Sequence, residues 1–147
     1  MGYNIVNTTT DLFVNDTGIG VKYPFNGPGV FSKVFTTLEQ GESNLRCLLL
    51  TRKGERYLQP LFGTDLLYLL FEPNITELKD EISDTITDAV SYWLPYIIIT
   101  KLDVISQEDD PNLIHTVKIS INFNVTGVDQ DKTITIFANE NGVIQVE

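Results

Sequence analysis

The sequence is poor in the residues from which most catalytic and metal sites are built. It has 147 residues but one cysteine, Cys47, and one histidine, His115, far apart in the chain. A single cysteine excludes an internal disulfide and suits a reducing compartment, and this pair cannot form a His/Cys zinc cluster. Gly18-x-Gly20 lacks the third glycine and the following helix of a phosphate loop. The sequence therefore predicts no nucleophile constellation and no cofactor.

Positive charge and long apolar runs are also scarce. Ten basic residues against twenty acidic ones give a formal net charge of −10. Nucleic-acid binders carry clustered positive charge, so this balance argues against a nucleic-acid partner. The longest apolar run, 66–71, is far shorter than the roughly 18 residues of a membrane helix. The first residues lack the basic and apolar regions of a secretory signal. We therefore predict neither nucleic acid nor membrane as a partner.

The first part of the chain differs in composition from the rest. Residues 1–29 are rich in Asn, Thr, Asp, Gly and Pro and have few periodic apolar positions. Such composition is typical of surface segments without a core of their own. We predict an extended N-terminal arm over 1–29, lying on the surface or on a neighbour, and a single domain over 30–147; a loose tail is the alternative for the arm.

A first helix is indicated by two capping boxes, Thr36-x-x-Glu39 and Thr37-x-x-Gln40, which predict that it begins near Leu38. Gly41 falls on its apolar stripe, where glycine costs about 1 kcal/mol relative to Ala, so we expect close packing there or a frayed first turn. Gly54 is predicted to close the helix in the left-handed conformation. Cations near a helix C-terminus favour its unpaired carbonyls. Those in this stretch are Arg46, Arg52, Lys53 and Arg56.

Two further helices are predicted after this one. Pro60 disfavours helical geometry at the preceding residue, which predicts an extended connector over 57–62. Thr64 is the predicted N-cap of a short helix over 65–71. A third helix is predicted over 74–93, because its apolar residues recur at spacings of three and four. They are Ile75, Leu78, Ile82, Ile86, Ala89 and Trp93.

The last third of the chain has strand patterns. Residues 97–106 are apolar on both parities, which predicts a strand covered on both faces near its start. Residues 113–125 and 133–137 alternate, as in an antiparallel sheet with one buried face. Asn141-Gly142 is a hairpin signal that adds a short strand over 143–146. The predicted fold class is α+β: an N-terminal extended arm and three helices packed on a C-terminal antiparallel sheet of three to four strands.

One ordered set of residues resembles a known family. Leu-Leu-Thr-Arg-Lys-Gly-Glu-Arg at 49–56 is followed by Pro60, by Phe62-Gly63 and by Leu-Leu-Phe-Glu at 69–72. This order resembles the signature of the baseplate wedge proteins of contractile phage tails. These are the gene-25-like sheath initiators, which have relatives in type VI secretion baseplates. The resemblance covers most of the chain, roughly residues 20–137.

The resemblance implies a structural, non-enzymatic subunit that joins the wedge core and templates the first sheath ring by β-strand addition. It implies other baseplate wedge proteins and tail sheath subunits as partners, with tail tube and hub proteins as further candidates. Copies would follow the sixfold symmetry of the tail, in the virion baseplate, after synthesis in the host cytoplasm. A type VI secretion baseplate is the alternative setting.

The turn between the third helix and the sheet is the first candidate interaction site. At this position the resembled family carries a Glu-Pro-Arg motif that docks onto the helical bundle of the wedge core. Only Pro95 matches, since Leu94 replaces the Glu and Tyr96 replaces the Arg. We predict docking through Trp93, Leu94 and Tyr96; the alternative is that Trp93 and Leu94 complete the core. The predicted docking surface also includes Arg52, Lys53 and Arg56.

A sheet edge is the second candidate site. A meander has open edges whose unpaired backbone groups a strand of another chain can complete. The resemblance implies that such an edge templates the first sheath subunits. The edge residues predicted for strand addition are Thr133, Thr135, Val143, Ile144 and Val146.

An acidic lysozyme-like glycoside hydrolase is the alternative function. That chemistry needs two carboxylates at a suitable separation, one of them with a raised pKa. Glu72, beside Pro73 after an apolar helix, is the first candidate for a buried acid, and Glu55 is the second. Glu72 also suits a plain helix end and Glu55 a partner for a nearby arginine. Twenty acidic residues make such a pair expected by chance, so the pattern predicts no enzyme.

Overall fold

The computed structural model describes residues 18–25, 31–69, 75–106, 113, 116–139 and 144–146. A two-stranded ribbon, β1 (Gly20–Val21) and β2 (Lys33–Val34), precedes three helices, α1 (Thr37–Leu50), α2 (Leu66–Leu69) and α3 (Ile75–Trp93). Four strands follow, β3 (Ile97–Ile105), β4 (Thr116–Val125), β5 (Asp131–Asn139) and β6 (Ile144–Val146). Across these ranges no helix has both the length and the apolar character of a membrane span.

Helix α1 begins where its capping box predicts. The Oγ1 of Thr36 accepts a hydrogen bond from the backbone N–H of Glu39 at 3.3 Å, which satisfies one of the unpaired donors at the helix start. Gly41 is buried, and a Cβ there would lie 2.8 Å from Cγ2 of Val125 on β4. The expected close packing at Gly41 is therefore confirmed: α1 approaches the sheet at this residue.

The predicted end of α1 is wrong. The helix ends at Leu50, and Thr51 is extended, with ψ of 128°. Side chains satisfy its last carbonyls: Thr51 Oγ1 donates to Cys47 O at 2.6 Å, and Thr64 Oγ1 donates to Leu49 O at 3.1 Å. Gly54 is left-handed, with φ of +85°, but its N–H donates to Pro60 O at 2.7 Å. It therefore shapes the loop after the helix and does not cap the helix.

That loop, 51–64, is a closed series of turns. Its base is closed by Thr64 N–H, which donates to Thr51 O at 2.9 Å. Phe62 N–H donates to Gln59 O at 3.0 Å, and this turn has Pro60 at its second position, where proline is favoured. The extended connector predicted over 57–62 is therefore wrong, because proline here sets a turn.

Thr64 is also not the cap of α2. The carbonyl of Asp65 accepts from Tyr68 N at 2.9 Å and from Leu69 N at 3.3 Å, so Asp65 occupies the position before the helix. The hydroxyl of Thr64 instead bonds to the end of α1. Within the described residues the predicted helix 65–71 is represented by the four residues of α2.

Helix α3 lies with its apolar stripe on the sheet, as predicted. Its core residues are Leu78, Ile82, Ile86 and Val90, with Ala89 and Trp93 partly buried beside them. The predicted start at Asn74 lies outside the described residues. The amphipathic pattern and the long helix over most of 74–93 are confirmed.

Strands β3 to β6 form a four-stranded antiparallel sheet in the order β3-β4-β5-β6. Alternate residues of the two central strands face the helices and are fully buried, as the alternation predicts. They are Ile119, Ile121, Phe123, Val125, Ile134, Ile136 and Ala138. The short final strand is confirmed, because β6 pairs with residues 136–138 of β5.

Strand β3 differs from its prediction. Ile97 is buried but Ile98 is exposed, so the expected cover on both faces is wrong. The helices cover one face of the sheet, and the opposite face of β4 carries polar residues. The register shifts between Ile99 and Lys101, which places a β-bulge at Thr100.

The α+β class is confirmed, with two differences in detail. The described residues contain two long helices and the short α2, and the ribbon β1–β2 was not predicted. This ribbon joins part of the predicted arm to the domain, since β1 pairs with β2, and beyond β1 the N–H of Tyr23 donates to Ser43 Oγ on α1 at 3.3 Å. The division into an arm at 1–29 and a domain at 30–147 remains a prediction.

Candidate docking surface and sheet edge

The predicted docking turn is anchored at its first two residues. The Trp93 ring meets Phe62 of loop 51–64 edge-on, with ring centroids 5.2 Å apart, and meets Tyr92 at 5.0 Å. Leu94 is buried in the core, and its N–H donates to Val90 O at 2.8 Å. Pro95 is exposed. The structure therefore places Trp93 and Pro95 where a partner could reach them and encloses the side chain of Leu94.

Tyr96 fastens the turn to two other elements. Its hydroxyl oxygen accepts from Asn44 Nδ2 of α1 at 2.6 Å, and its carbonyl accepts from Thr126 N at 2.9 Å. Asn44 is held in turn by Gln40, whose Nε2 donates to Asn44 Oδ1 at 2.8 Å. Burial raises the pKa of the Tyr96 hydroxyl above its ordinary value, against the opposing effect of Asn44. Tyr96 thus positions the turn.

Replacing Tyr96 with Phe is expected to lower the free energy of unfolding by about 1 kcal/mol at neutral pH, because the Asn44 donor loses its partner. The folded state also binds the phenolic proton more tightly than the unfolded state. That stabilisation is complete below the ordinary pKa of 10.0 and is lost as pH rises through the raised value. Urea unfolding at about pH 8 and about pH 11 should show a smaller alkaline loss in Tyr96→Phe. Equal losses in both proteins would contradict this assignment.

The predicted basic residues mostly hold loop 51–64 in shape. The Arg56 guanidinium lies 3.7 Å from the centroid of the Phe62 ring, and its Nη2 lies 3.1 Å from the sulfur of Cys47. Lys53 Nζ lies 2.5 Å from a carboxylate oxygen of Asp65. The Arg52 side chain is exposed. Arg52 is therefore the cation of this set with the most freedom to meet a partner.

The structure describes one of the two candidate catalytic acids. Glu55 is exposed, and its Oε2 accepts from the backbone N–H of Arg52 at 3.1 Å, which is a turn-stabilising role. Glu72 lies outside the described residues. Within the described part of the chain, no group of three or more His, Cys, Asp and Glu side chains could hold a metal ion.

Loop 51–64 presents apolar side chains that the sequence analysis missed. Tyr57 is 97% exposed, Leu58 is 89% exposed and Leu61 is 72% exposed. They belong to neither a helical stripe nor a strand alternation, so periodicity could not classify them. The available signal was their position beside Pro60 in a turn-forming segment. Turns lie at the surface, so apolar side chains there are expected to be exposed.

The residues predicted as the edge for strand addition fall on β5 and, within the described residues, on β6. β6 pairs only with residues 136–138, through Ile144 opposite Ala138 and Val146 opposite Ile136. The first half of β5, Asp131–Thr135, pairs with β4 on one side. No described residue pairs with it on the other side. Among the described residues this half of β5 is therefore unpaired on one side, and we call it the open half of β5.

The hydrogen bonds of β4 show which backbone groups face this opening. Thr100 Oγ1 of β3 donates to Asn122 O at 3.2 Å, so Asn122 directs its backbone groups toward β3. In an antiparallel pair, its partner on the other side is then a non-hydrogen-bonded one. That partner is Thr133, whose N–H and C=O consequently face the open side.

The same alternation extends to the other predicted edge residues. Ser120 shares the parity of Asn122, and its partner Thr135 also turns its backbone N–H and C=O outward. By the same alternation, Phe137 and Gln145 form a hydrogen-bonded pair between β5 and β6. The backbone N–H and C=O groups of β6 that point away from β5 are then those of Ile144 and Val146. Val143 lies outside the described residues.

A groove of about 690 Å³ lies between α3 and the edge strand β3. It is lined on the helix by Lys79, Asp80 and Ser83. On the strand side, Lys101 Nζ lies 2.5 Å from a carboxylate oxygen of Asp103. Glu55 does not line this groove, whose acids among the described residues are Asp80 and Asp103.

Comparisons with known proteins converge on one family. The family model described as baseplate wedge protein gp25 matches residues 39–130. Baseplate wedge protein gp25 of Enterobacteria phage T4 is 36% identical over 92 residues, which are 62% of this chain and 69% of the relative. The matched region contains loop 51–64 and the turn at 93–96, and it stops just before the open half of β5.

Two solved structures share the fold. A crystal structure described as a tail lysozyme from Geobacter sulfurreducens aligns with a TM-score of 0.59 at 21% identity, over 69% of this chain and 88% of that one. A chain of the type VI secretion baseplate complex aligns with a TM-score of 0.50 at 13% identity, over 74% and 89%. At these identities the likeness concerns the fold alone.

Proposed function

The chain belongs to the family of baseplate wedge protein gp25, and on this premise we propose that it is a wedge subunit of a contractile phage tail that templates the first sheath ring by β-strand addition. Membership supports a structural role in a baseplate, together with other baseplate proteins. The proposal adds the sheath as a partner, strand pairing as the mechanism, and the absence of enzymatic turnover and of a cofactor.

The open half of β5 is the observation that carries the proposal. An unpaired strand segment offers N–H and C=O groups that an extended segment of another chain can complete. Thr133 and Thr135 turn these groups outward, and the inward side chain between them, Ile134, is fully buried. An added strand would lie end to end with β6 and extend the sheet beside β5.

The frame behind this edge is held by an ion-pair network. The Glu42 carboxylate on α1 lies 2.6 Å from Arg46 Nη2 and also contacts Lys132 Nζ. Lys132 belongs to the open half of β5, so α1 fixes that segment from behind. A fixed edge supports strand addition because less conformational entropy is lost when the partner strand binds.

Docking to the wedge core is the second part of the proposal. The turn at 93–96 occupies the position of the Glu-Pro-Arg motif in the family, and Trp93 and Pro95 remain accessible there. Hydrogen bonds of Tyr96 to α1 and to Thr126 hold the turn in one conformation. A partner would therefore meet a fixed surface and not a mobile connection.

Thr135→Pro tests strand addition. The substitution removes an outward N–H while leaving the β4 ladder intact, and proline is tolerated where the N–H of an edge strand faces solvent. The variant is supplied in trans to a phage from which the gene is deleted. We expect baseplates that contain the chain but at least about tenfold fewer sheathed tails by electron microscopy. The added strand would lose one hydrogen bond and clash with the proline ring.

Thr135→Val is the matched control, because it changes the same side chain and keeps the N–H. It should give sheathed tails in wild-type numbers. Recovery of the chain in purified baseplates shows that the proline variant is folded. Sheathed tails at the wild-type level with Thr135→Pro would rule out strand addition at this edge.

A further inference from the structure

We propose that loop 51–64 is a preformed apolar knob, which inserts Tyr57, Leu58 and Leu61 into an apolar groove with an acidic rim on another baseplate protein. The setting of this interaction rests on the proposed function. The residues that carry it lie outside both the predicted turn and the sheet edge.

Exposure is the first argument. Single exposed apolar side chains are ordinary on protein surfaces, but a contiguous group marks an interaction site. Tyr57, Leu58 and Leu61 are three of the four most exposed large apolar residues among those described, at 97%, 89% and 72%; the other is Tyr92, beside Trp93, at 74%. All three belong to one loop, so their exposure is concentrated in one place.

Rigidity is the second argument. The loop is closed at its base by the Thr64–Thr51 hydrogen bond of 2.9 Å and braced across its middle by the Gly54–Pro60 bond of 2.7 Å. The Arg56 guanidinium stacks on Phe62 at 3.7 Å. A loop held in this way keeps its apolar side chains exposed to water, because the backbone cannot fold over to cover them. It also loses little conformational entropy on binding, which favours affinity.

Continuity with the docking turn is the third argument. Phe62 of the loop meets Trp93 of the turn, with centroids 5.2 Å apart, and the exposed Tyr92 meets Trp93 at 5.0 Å. Leu94 is enclosed and the Tyr96 hydroxyl is bonded internally. The knob therefore extends the accessible apolar surface that Trp93 and Pro95 offer at the turn.

Charge indicates the chemistry of the partner. The chain has a net charge of −10, yet the loop carries Arg52, Lys53 and Arg56. With Lys53 paired to Asp65 and Arg56 over Phe62, the exposed Arg52 is the cation that remains for a partner carboxylate. A single exposed cation gives one directed contact and not the basic cluster that binding to anionic lipid requires. A protein groove with acidic residues at its rim fits better than a lipid surface.

The test uses wedge complexes purified from particles that lack this chain, immobilised as the probe for the full-length protein. Leu58→Asp is expected to weaken binding by about thirtyfold, because it places a carboxylate in an apolar pocket with acidic neighbours. Leu58→Met should bind within about threefold of wild type. Ile98→Asp, the same change at an exposed apolar residue on the outer sheet face, should bind like wild type. Raising the salt concentration should weaken wild-type binding by screening Arg52.

Binding of Leu58→Asp at the wild-type level would contradict the proposed knob. So would a loss of binding in Ile98→Asp as large as that in Leu58→Asp. Sedimentation of the chain with phosphatidylserine vesicles, abolished by Leu58→Asp, overturns it in favour of a membrane. Self-association abolished by the same variant overturns it in favour of a second copy. Thr135→Pro should bind these complexes normally, so failure of sheath templating and failure of the knob are distinguishable. If the wild-type chain does not bind the wedge complexes, both the wedge role and the knob are contradicted.

Discussion

Gly63→Ala is expected to lower the free energy of unfolding by about 3 kcal/mol or more. Gly63 has φ of +115°, a conformation that residues with a side chain rarely adopt. A Cβ there would lie 2.3 Å from the carbonyl oxygen of Thr51. This oxygen belongs to the backbone that closes loop 51–64, so the crowding cannot be relieved by moving a side chain.

Gly54→Ala is the matched control for this prediction. Gly54 is also left-handed, with φ of +85°, but a Cβ there would meet nothing within 4 Å. Its replacement should cost only the conformational preference, about 1 kcal/mol. Urea unfolding monitored by Trp93 fluorescence measures both. Equal losses would show that backbone conformation, and not crowding at Thr51, decides the stability of the loop.

Glu42→Gln is expected to lower the free energy of unfolding by about 2 kcal/mol. The carboxylate is 13% exposed and lies 2.6 Å from the guanidinium of Arg46, itself 12% exposed. It also contacts Lys132 on the open half of β5. Removing the negative charge leaves two cations close together in a poorly solvated place, which costs more than the loss of a surface pair.

Lys132→Met separates the two arms of this network. It removes one cation, keeps the aliphatic length of the side chain and leaves Glu42 paired with Arg46, so the loss should stay under about 1 kcal/mol. Denaturant unfolding at low and high salt measures both variants, and the Glu42→Gln effect should persist at high salt because the site is mostly buried. A larger loss for Lys132→Met than for Glu42→Gln would contradict this account.

The parts of the fold that the sequence predicted are those where burial repeats along the chain. In α3 the spacings of three and four place Ile82 and Ile86 on one face, and both are fully buried. In β4 the alternation places Ile121 and Phe123 inward, and both are fully buried. Such patterns report one-sided burial directly, so no knowledge of the partner element is needed.

The parts that it missed depend on contacts between distant residues. α1 ends early because Thr64 bonds to the carbonyl of Leu49, 15 residues away in the chain. Tyr96 is fixed by Asn44, 52 residues away. No local propensity encodes either bond, and both rearrange a segment whose own pattern favours something else.

The candidate sites follow the same division. Strand order alone places Thr133 and Thr135 on a central strand, and they lack a second described partner because β6 pairs only with residues 136–138. Their use in strand addition stays a prediction, and the register fixes which of their backbone groups face outward. The knob could not be predicted, because the exposure of Leu58 results from the closed turns of loop 51–64. Leu94 carries no local sign of its burial, since a turn between a helix and a strand can direct a side chain either way.

The bulge at Thr100 gives the two sides of the sheet unequal roles. An extra residue interrupts the regular spacing of β3 there, and charged Lys101 and Asp103 follow it along the strand. Irregular, charged borders resist lateral stacking of identical molecules. On the proposed function, an incoming strand is therefore expected to add on the side away from β3, and the β3 border is the side protected against pairing with a second copy.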